Sequence, residues 1–484
     1  MEVCNCIKNL TDLETNLFLF SFSIYRQFIG CPTQSTMRYT FFVAFIAVIL
    51  GCSSPPHDRL DLVISNVNLI DGTGKPMRPN VSVGVRDGKI MAIDSILNFT
   101  SESTIDGAGK FLIPGLFDCH VHTNDFESDF PKYVHYGVTS IFITGGSLCT
   151  NEYYVAMRSY GNQDSIPAPF VFHTSQHFTL EGRHPVKTYK GNWTDGRSVF
   201  FLKDTLQIES LVKEVTRYPI VGIKLTIEDG PNPPWVSRMP QEFIDKVQNE
   251  AAKNGTEVFA HVSDNTELEM AMDAGIQNIV HWTGIDLDFQ RDTALVDKIY
   301  RIRPSFITTL MIDKGVLYPL FPEWVEDLRS EGIFDEAYLE NAHDPVFVAR
   351  AENYMGIWMD YLQKEEVSLE DIATVQVQDI KVLYDEGIVF ALGTDTGPFV
   401  LPGFSLHEEM QLFELGGMDQ LDIIKMATLN AAEIMHAEDS LGSIEKGKIA
   451  NMILLDRNPL DEMSNTTAIN TVIKRGVVQK RIGE

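Results

Sequence analysis

The chain has 484 residues, 44% hydrophobic and 22% charged, a composition that suits a folded protein with a large core and excludes a disordered one. With 67 acidic against 39 basic residues the formal charge is −28, which excludes nucleic acid as a partner, because phosphate binding needs clustered Lys and Arg. The six cysteines, Cys4, Cys6, Cys31, Cys52, Cys119 and Cys149, form neither a Cys-x-x-Cys pair nor a disulfide framework.

The first 36 residues fall outside the expected fold, and their Phe/Leu run over Asn16–Tyr25 is too short to span a membrane. A cleaner pattern starts at Met37: Arg38, the apolar run Phe41–Leu50, then Gly51-Cys52-Ser53-Ser54. A basic region, an apolar stretch and a small residue before a cut describe a secretory signal. Its end, Ile49-Leu50-Gly51-Cys52, resembles a bacterial lipoprotein signal with Cys52 lipidated; an uncleaved anchor is the alternative. The expectation is a start at Met37 and a body held outside the cytoplasm. It would sit at the bacterial cell envelope (periplasmic or outer membrane), with residues 1–58 as extension, signal and tether.

Asp61–Ile70, Val81–Arg86 and Lys89–Ile93 read as strands, the last two joined by an Asp87-Gly88 hairpin turn. From Leu116 onward, strand-like runs alternate with helix-length segments. The runs are Leu116–His122, Ser140–Thr144, Phe170–Thr174, Val221–Thr226, Glu257–Val262, Asn278–Trp282, Pro304–Leu310 and Val389–Gly393. This order predicts an α/β fold, a (β/α)₈ TIM barrel over 114–440, with a cap-like insertion at 311–387. Met418–Ala437 reads as helix, and Ile449–Leu455 and Thr471–Arg475 return to strand. These late strands, in 441–484, are expected to join those of 59–113 in a composite β-sandwich.

Polar groups gather at the strand ends. His120 and His122 close the first strand, where i and i+2 share a face, so their imidazoles project together. Lys224 lies in the fourth strand, His261 in the fifth, His281 in the sixth, and Asp395 follows the eighth. Active sites of such barrels lie at this end. A lysine in an apolar strand is costly unless paired or altered. As a carbamate formed with carbon dioxide it could bridge two divalent metals roughly 3.5–4 Å apart that share a hydroxide. Asp395 would ligate one of them and handle the proton. Cys119 would point to the opposite face as an inert core thiol.

With these residues in place, the chain resembles the amidohydrolase superfamily, within it the imidazolonepropionase-like group that includes Xaa-Pro dipeptidases (prolidase-like enzymes). The likeness spans nearly all of Asp61–Val478. It rests on Asp71-Gly72-Thr73-Gly74, Asp87-Gly88-Lys89-Ile90, the Pro-Gly-x-x-Asp-x-His-x-His run, Gly393-Thr394-Asp395, Ala427-Thr428-Leu429-Asn430-Ala431-Ala432 and Gly442–Lys448. It implies one metal on His120, His122 and Asp395, a second on His261 and His281, and carboxylated Lys224 between them, with zinc as the expected ion. Departures are Ala450-Asn451 after the Gly-Lys turn, Val280-His281-Trp282, and Leu225–Pro231 where prolidase-like relatives carry Gly-Gly.

In the loop after the third strand, Gln176–Pro185, His177, Arg183 and His184 are candidate pocket residues, with Arg183 a candidate for a substrate carboxylate. Trp235 and Trp282 are candidate pocket walls. The sequence thus predicts a hydrolase of a C–N bond in a short peptide, amide or cyclic amide, acting through a metal-bridging hydroxide. Membrane contact would come only through the lipid at Cys52, and self-association is left open. A mononuclear deaminase of the same superfamily, or a non-catalytic ligand-binding lipoprotein, are the alternatives.

Overall fold

The structure is a computed structural model that describes residues 59–230, 235–282, 284–330, 332, 342–365, 372–397 and 399–483. The predicted signal, lipidated Cys52 and tether of 1–58 lie outside these residues. Among the described residues no helix is long and apolar enough to cross a membrane.

Leu60–Glu484 forms one compact unit built from two sheet systems. The first is a single eight-stranded sheet drawn from both ends of this unit. Arg59–Leu69 pairs antiparallel with Arg78–Arg86, which pairs with Lys89–Asp94. Phe111–Pro114 lies between Arg59–Leu69 and the late strand Met452–Leu455, opposing Ile113 to Ile453; Ile469–Lys474 follows. Asp87 and Gly88 have φ of 51° and 72°, the left-handed pair that a two-residue hairpin turn requires. One strand, Thr100–Asp106, is not visible in the sequence pattern. Its residues Thr-Ser-Glu-Ser-Thr-Ile-Asp are mostly exposed, so no apolar alternation marks it.

The second system is the barrel, whose eight strands are Leu116–Val121, Val138–Ile143, Phe170–His173, Gly222–Thr226, Glu257–His261, Asn278–Val280, Ser305–Ile307 and Phe390–Ala391. Neighbours pair in parallel within the first three and within the last five. Two sets of backbone bonds close the ring. Val221 N donates to His173 O at 2.9 Å and Ser175 N to Gly222 O at 2.8 Å, joining the third strand to the fourth; Cys119 N donates to Leu392 O at 3.0 Å, joining the first to the eighth. The helices Ile208–Val215, Gln241–Lys253, Asn265–Asp273 and Thr293–Ile302 fill the helix-length segments between these strands.

Phe117, Cys119, Phe142, Phe259, Val280, Ile307 and Ala391 fill the barrel interior. This apolar filling confines polar chemistry to the barrel's carboxyl mouth. Cys119 is a free, buried thiol inside it, and burial pushes its pKa well up, so it is inert as expected.

Met418–Ala437, read as one helix, is two: Gln420–Met426 and Leu429–Ile434. The break falls at Ala427-Thr428 because the Ala427 carbonyl leaves the helix ladder to accept Phe117 N at 2.9 Å, tying the barrel's first strand to its floor. Within 311–387 the helix Ile372–Asp385 belongs to the barrel layer, since Val377, Ile380 and Leu383 join the main core. The part of the insertion outside the barrel layer is therefore narrower, with helices Met311–Leu317, Pro322–Ser330 and Pro345–Glu365.

His173 ends the third strand buried, stacked on Tyr154 at 4.0 Å, with Nδ1 2.8 Å from Thr174 O. Burial lowers its pKa to about 4 against an ordinary 6.5. The unfolded chain therefore binds a proton below pH ~6.5 that the folded one refuses, and stability falls as pH falls from there towards 4, by about 3 kcal/mol for this one group. Urea unfolding at pH 7.5 and 5 will show about 2 kcal/mol of that loss, and His173→Gln will make it smaller.

Candidate metal centre

The sequence pattern Asp-x-His-x-His works because Asp118 fastens the first strand to the eighth. His120 N and Thr394 N reach Asp118 Oδ1 at 3.3 and 3.0 Å, and the Thr394 hydroxyl meets Oδ2 at 2.7 Å. Burial raises the Asp118 pKa to about 8. Gly393 is required at the same seam, since a Cβ there would lie 2.9 Å from both N and Cβ of His120. The seam sets His120 and His122 beside Asp395. Their Nε2 atoms are 3.3 Å apart and lie 3.5 and 3.0 Å from Asp395 Oδ1.

His281 Nε2 lies 2.9 Å from His261 Nδ1, forming a second imidazole pair. The two pairs adjoin, with His120 and His281 rings 4.6 Å apart. His120, His281 and Asp395 each offer a donor atom within 4.8 Å of the others. Lys224, fully buried in the fourth strand, belongs to the same cluster: its charge lowers the pKa of His120, His261 and His281, after burial as the larger cause. All six residues singled out in the sequence are thus brought to one mouth.

Three of the four imidazoles have their outer nitrogen engaged. His122 Nδ1 faces Gly145 O at 2.7 Å, His281 Nδ1 faces Thr309 Oγ1 at 2.8 Å, and His261 Nε2 pairs with Glu228. Such partners fix the ring and leave the other nitrogen for a metal. Thr309 is itself held by Glu409, whose carboxylate accepts Thr309 N, Leu310 N and Met311 N at 3.1, 3.0 and 2.6 Å. His281, Thr309 and Asp395 have φ of 77°, 91° and 57°, strained values for side-chain-bearing residues and concentrated at this mouth.

Lys224 Nζ is a buried amine with no hydrogen-bond partner among the described residues. Burial lowers its pKa to about 7, although Asp395 and Glu228 pull the other way. Burial pushes the Asp395 carboxyl up, but the hydrogen bond and charge from His122 outweigh it and keep the group ionised. Imidazoles held neutral at His120, His261 and His281, an ionised carboxylate and an amine without a partner among the described residues are a donor set that fits divalent cations.

The pocket candidates divide. His177 is buried at the cluster, with Nδ1 3.0 Å from Thr226 Oγ1, and the Lys224, His122 and His261 charges add to burial in lowering its pKa. Arg183 is not available for a substrate: its Nη1 donates to the carbonyls of Ser237 and Arg238, which ties two loops together. Trp282 is not a pocket wall either. It is fully buried between Phe306 and Phe390, 5.2 and 5.6 Å away, because the left-handed backbone at His281 turns the following side chain into the barrel's helix layer. Trp235 is half exposed.

One residue of the cluster, Glu228, lacked a sequence signal of its own, and His184, a pocket candidate from its loop, had no partner assigned. Glu228 is buried against His261, and His184 Nε2 lies 3.6 Å from its Oε2. His184, Glu228 and His261 offer a second group of donor atoms within 4.8 Å of one another. The only signal was the position of Glu228 four residues beyond Lys224, past the strand end. A cavity of about 560 Å³ opens at the opposite barrel end, lined by Phe170, Val221, Gly255 and Glu257, and contains none of these residues.

Asp118→Asn, which keeps the shape and an acceptor, will retain metal content and stability, whereas Asp118→Ala will lose about 2–4 kcal/mol in urea unfolding and bind less metal. Glu228→Ala, with the fold kept by circular dichroism, will weaken metal affinity by about 10–100-fold in chelator competition. An unchanged affinity would remove Glu228 from the support of His261.

Known proteins resemble this chain over most of its length. An ochratoxinase of Aspergillus niger is 24% identical over 468 residues, covering 86% of each chain. An imidazolonepropionase of Caldanaerobacter subterraneus is 22% identical over 462 residues, covering 86% of this chain and 97% of its own. The crystal structure of a Xaa-Pro dipeptidase with bound methionine superposes with a TM-score of 0.64 at 20% identity, over 87% of this chain and 99% of that one, and shares the fold. The model of the amidohydrolase family matches residues 207–479, more than half of the sequence, and the chain belongs to that family.

Proposed function

We propose that the chain is a binuclear hydrolase that cleaves a C–N bond in a short peptide, an amide or a cyclic amide. The observation that carries this reading is Lys224: a fully buried amine without a partner among the described residues, beside two histidine pairs and an ionised aspartate. The relatives named ochratoxinase, imidazolonepropionase and Xaa-Pro dipeptidase support the reaction class.

In this reading His120, His122 and Asp395 would hold one divalent cation and His261 and His281 the other, with zinc the ion suited to imidazole donors. Lys224, as a carbamate, would supply a further anionic ligand. Burial prepares it for that role, because a pKa near 7 leaves about half the amines neutral at pH 7, and only the neutral amine adds carbon dioxide. The bound cations supply Lewis acidity, polarising the carbonyl and acidifying water. Asp395 Oδ1 accepts the proton of the attacking water. As the C–N bond breaks, the same oxygen returns that proton to the leaving nitrogen, so the carboxylate is regenerated. Glu228 holds the His261 ring through Nε2, and Thr309 holds His281 through Nδ1.

Metal analysis of the purified chain tests the reading. About two cations per chain are expected, and Lys224→Ala will reduce that number and lower amidase activity by at least about a hundredfold. Bicarbonate added during reconstitution will raise activity in the parent but not in the variant. One cation in both proteins would favour the mononuclear deaminase instead.

A further inference from the structure

Beside the cluster, two buried donors face each other with no proton between them. His184 is buried, and its Nδ1 lies 2.6 Å from Thr188 Oγ1. The Thr188 hydroxyl gives its own proton to Pro185 O at 3.2 Å, so it receives Nδ1–H from the ring. That assigns the tautomer: Nε2 of His184 carries a lone pair. Nε2 faces Glu228 Oε2 at 3.6 Å, beyond hydrogen-bond length, and has no other polar partner among the described residues. Burial, the largest influence on this ring, lowers its pKa below the ordinary 6.5, although the Glu228 charge pulls the other way.

Glu228 is equally buried, and its carboxylate has capacity to spare. One lone pair of Oε2 takes His261 Nε2–H, which leaves the second lone pair of that oxygen and both of Oε1. Both donors are held in place. The His184 carbonyl accepts the Thr179 hydroxyl at 2.6 Å, and its ring packs edge-on against Tyr189 at 5.3 Å. Ile227 N, next to Glu228, donates to His261 O at 3.1 Å. A bare imidazole nitrogen and a carboxylate fixed face to face away from water are costly unless a cation lies between them. The donor atoms of His184, Glu228 and His261 lie within 4.8 Å of one another. His261 Nε2 keeps its proton for Glu228, so His184 and Glu228 are the two protein ligands on offer.

We infer that His184 and Glu228 form a third cation site, outside the binuclear cluster, which takes a divalent ion of the zinc class more weakly than the cluster and inhibits when filled. One imidazole and one carboxylate favour zinc and its transition-metal neighbours over calcium and magnesium, which take mainly oxygen ligands. Two protein donors, with the Arg350 charge opposing from the helix Pro345–Glu365, make the site the weaker one. A cation on Glu228 competes with the bond that holds His261 Nε2, so filling the site loosens a ligand of the cluster. This inference goes beyond the hydrolase reading, because the extra ion is counted by binding alone.

The test is equilibrium dialysis of the metal-loaded chain against rising free zinc, read as the difference between parent and variants. The parent will take up one further zinc after its tight set is full, and excess calcium or magnesium will not displace it. His184→Ala, with the fold kept by circular dichroism, will lose that equivalent and keep the tight set. Thr188→Val, which removes the acceptor that fixes the tautomer, will weaken the extra ion by about 10–100-fold. Arg350→Met, which removes the opposing charge, will tighten it. Turnover of the parent will fall over the same range of free zinc in which the extra ion binds. Saturation of the parent at its tight set overturns the site, as does an extra equivalent that His184→Ala retains. A rate that stays level while the extra ion binds overturns the inhibition. A parent without a tight pair that still gains the His184-dependent ion keeps the site and sinks the hydrolase reading alone.

Discussion

The constraint on which the rest depends is the burial of Lys224. A bare ammonium shut away from water costs several kcal/mol unless it is paired or loses its charge. Here burial lowers the pKa to about 7, and no acceptor among the described residues satisfies the amine. Core packing alone would favour a leucine or isoleucine at this position. The surroundings instead supply neutral imidazoles and the Asp395 carboxylate, groups that attract cations rather than one another. Apolar side chains directly beneath keep water from solvating the amine from the barrel side.

Holding this arrangement requires a rigid frame, and the frame is made of buried carboxylates. Asp118 joins the first strand to the eighth, Glu409 gathers the amides that follow the seventh, and Glu228 holds His261. Each accepts donors from a different part of the ring, so each converts a strand end into a fixed position. The left-handed backbone at His281, Thr309 and Asp395 is tolerated because these bonds over-determine it. Glu409 reaches His281 only through Thr309, so a substitution there would act at a distance on the imidazole.

The legible part of the site was the part that lies on strands or at the first residue beyond them. His120, His122, Lys224, His261 and His281 occupy apolar runs in which a polar residue stands out, and the order of the strands places those residues at one end. Glu228 was not legible, and His184 was a pocket candidate without an assigned partner, because both lie in loops, where charged residues are ordinary and only the folded path brings them to His261. Arg183 and Trp282 failed for the converse reason. Sequence shows which side chains have the right chemistry but not which are already engaged, and Arg183 is taken by backbone carbonyls, Trp282 by aromatic packing. In the eight-stranded sheet, Thr100–Asp106 escaped for want of an apolar face.

The cap brings the same principle to specificity. The metal cluster treats any reachable carbonyl alike, so discrimination has to come from groups outside it. The segment inserted between the seventh and eighth strands can change without disturbing the ring. Asp313 lies in the helix directly after the seventh strand, and through Tyr354 and Gln376 it joins the helix Pro345–Glu365 to the barrel layer. Burial raises the Asp313 pKa to about 6, but the hydrogen bonds from Tyr354 and Gln376 favour the ionised form, so near neutral pH it acts as an acceptor for both. The helix Pro345–Glu365 is thus fastened to the barrel layer through Tyr354, Asp313 and Gln376.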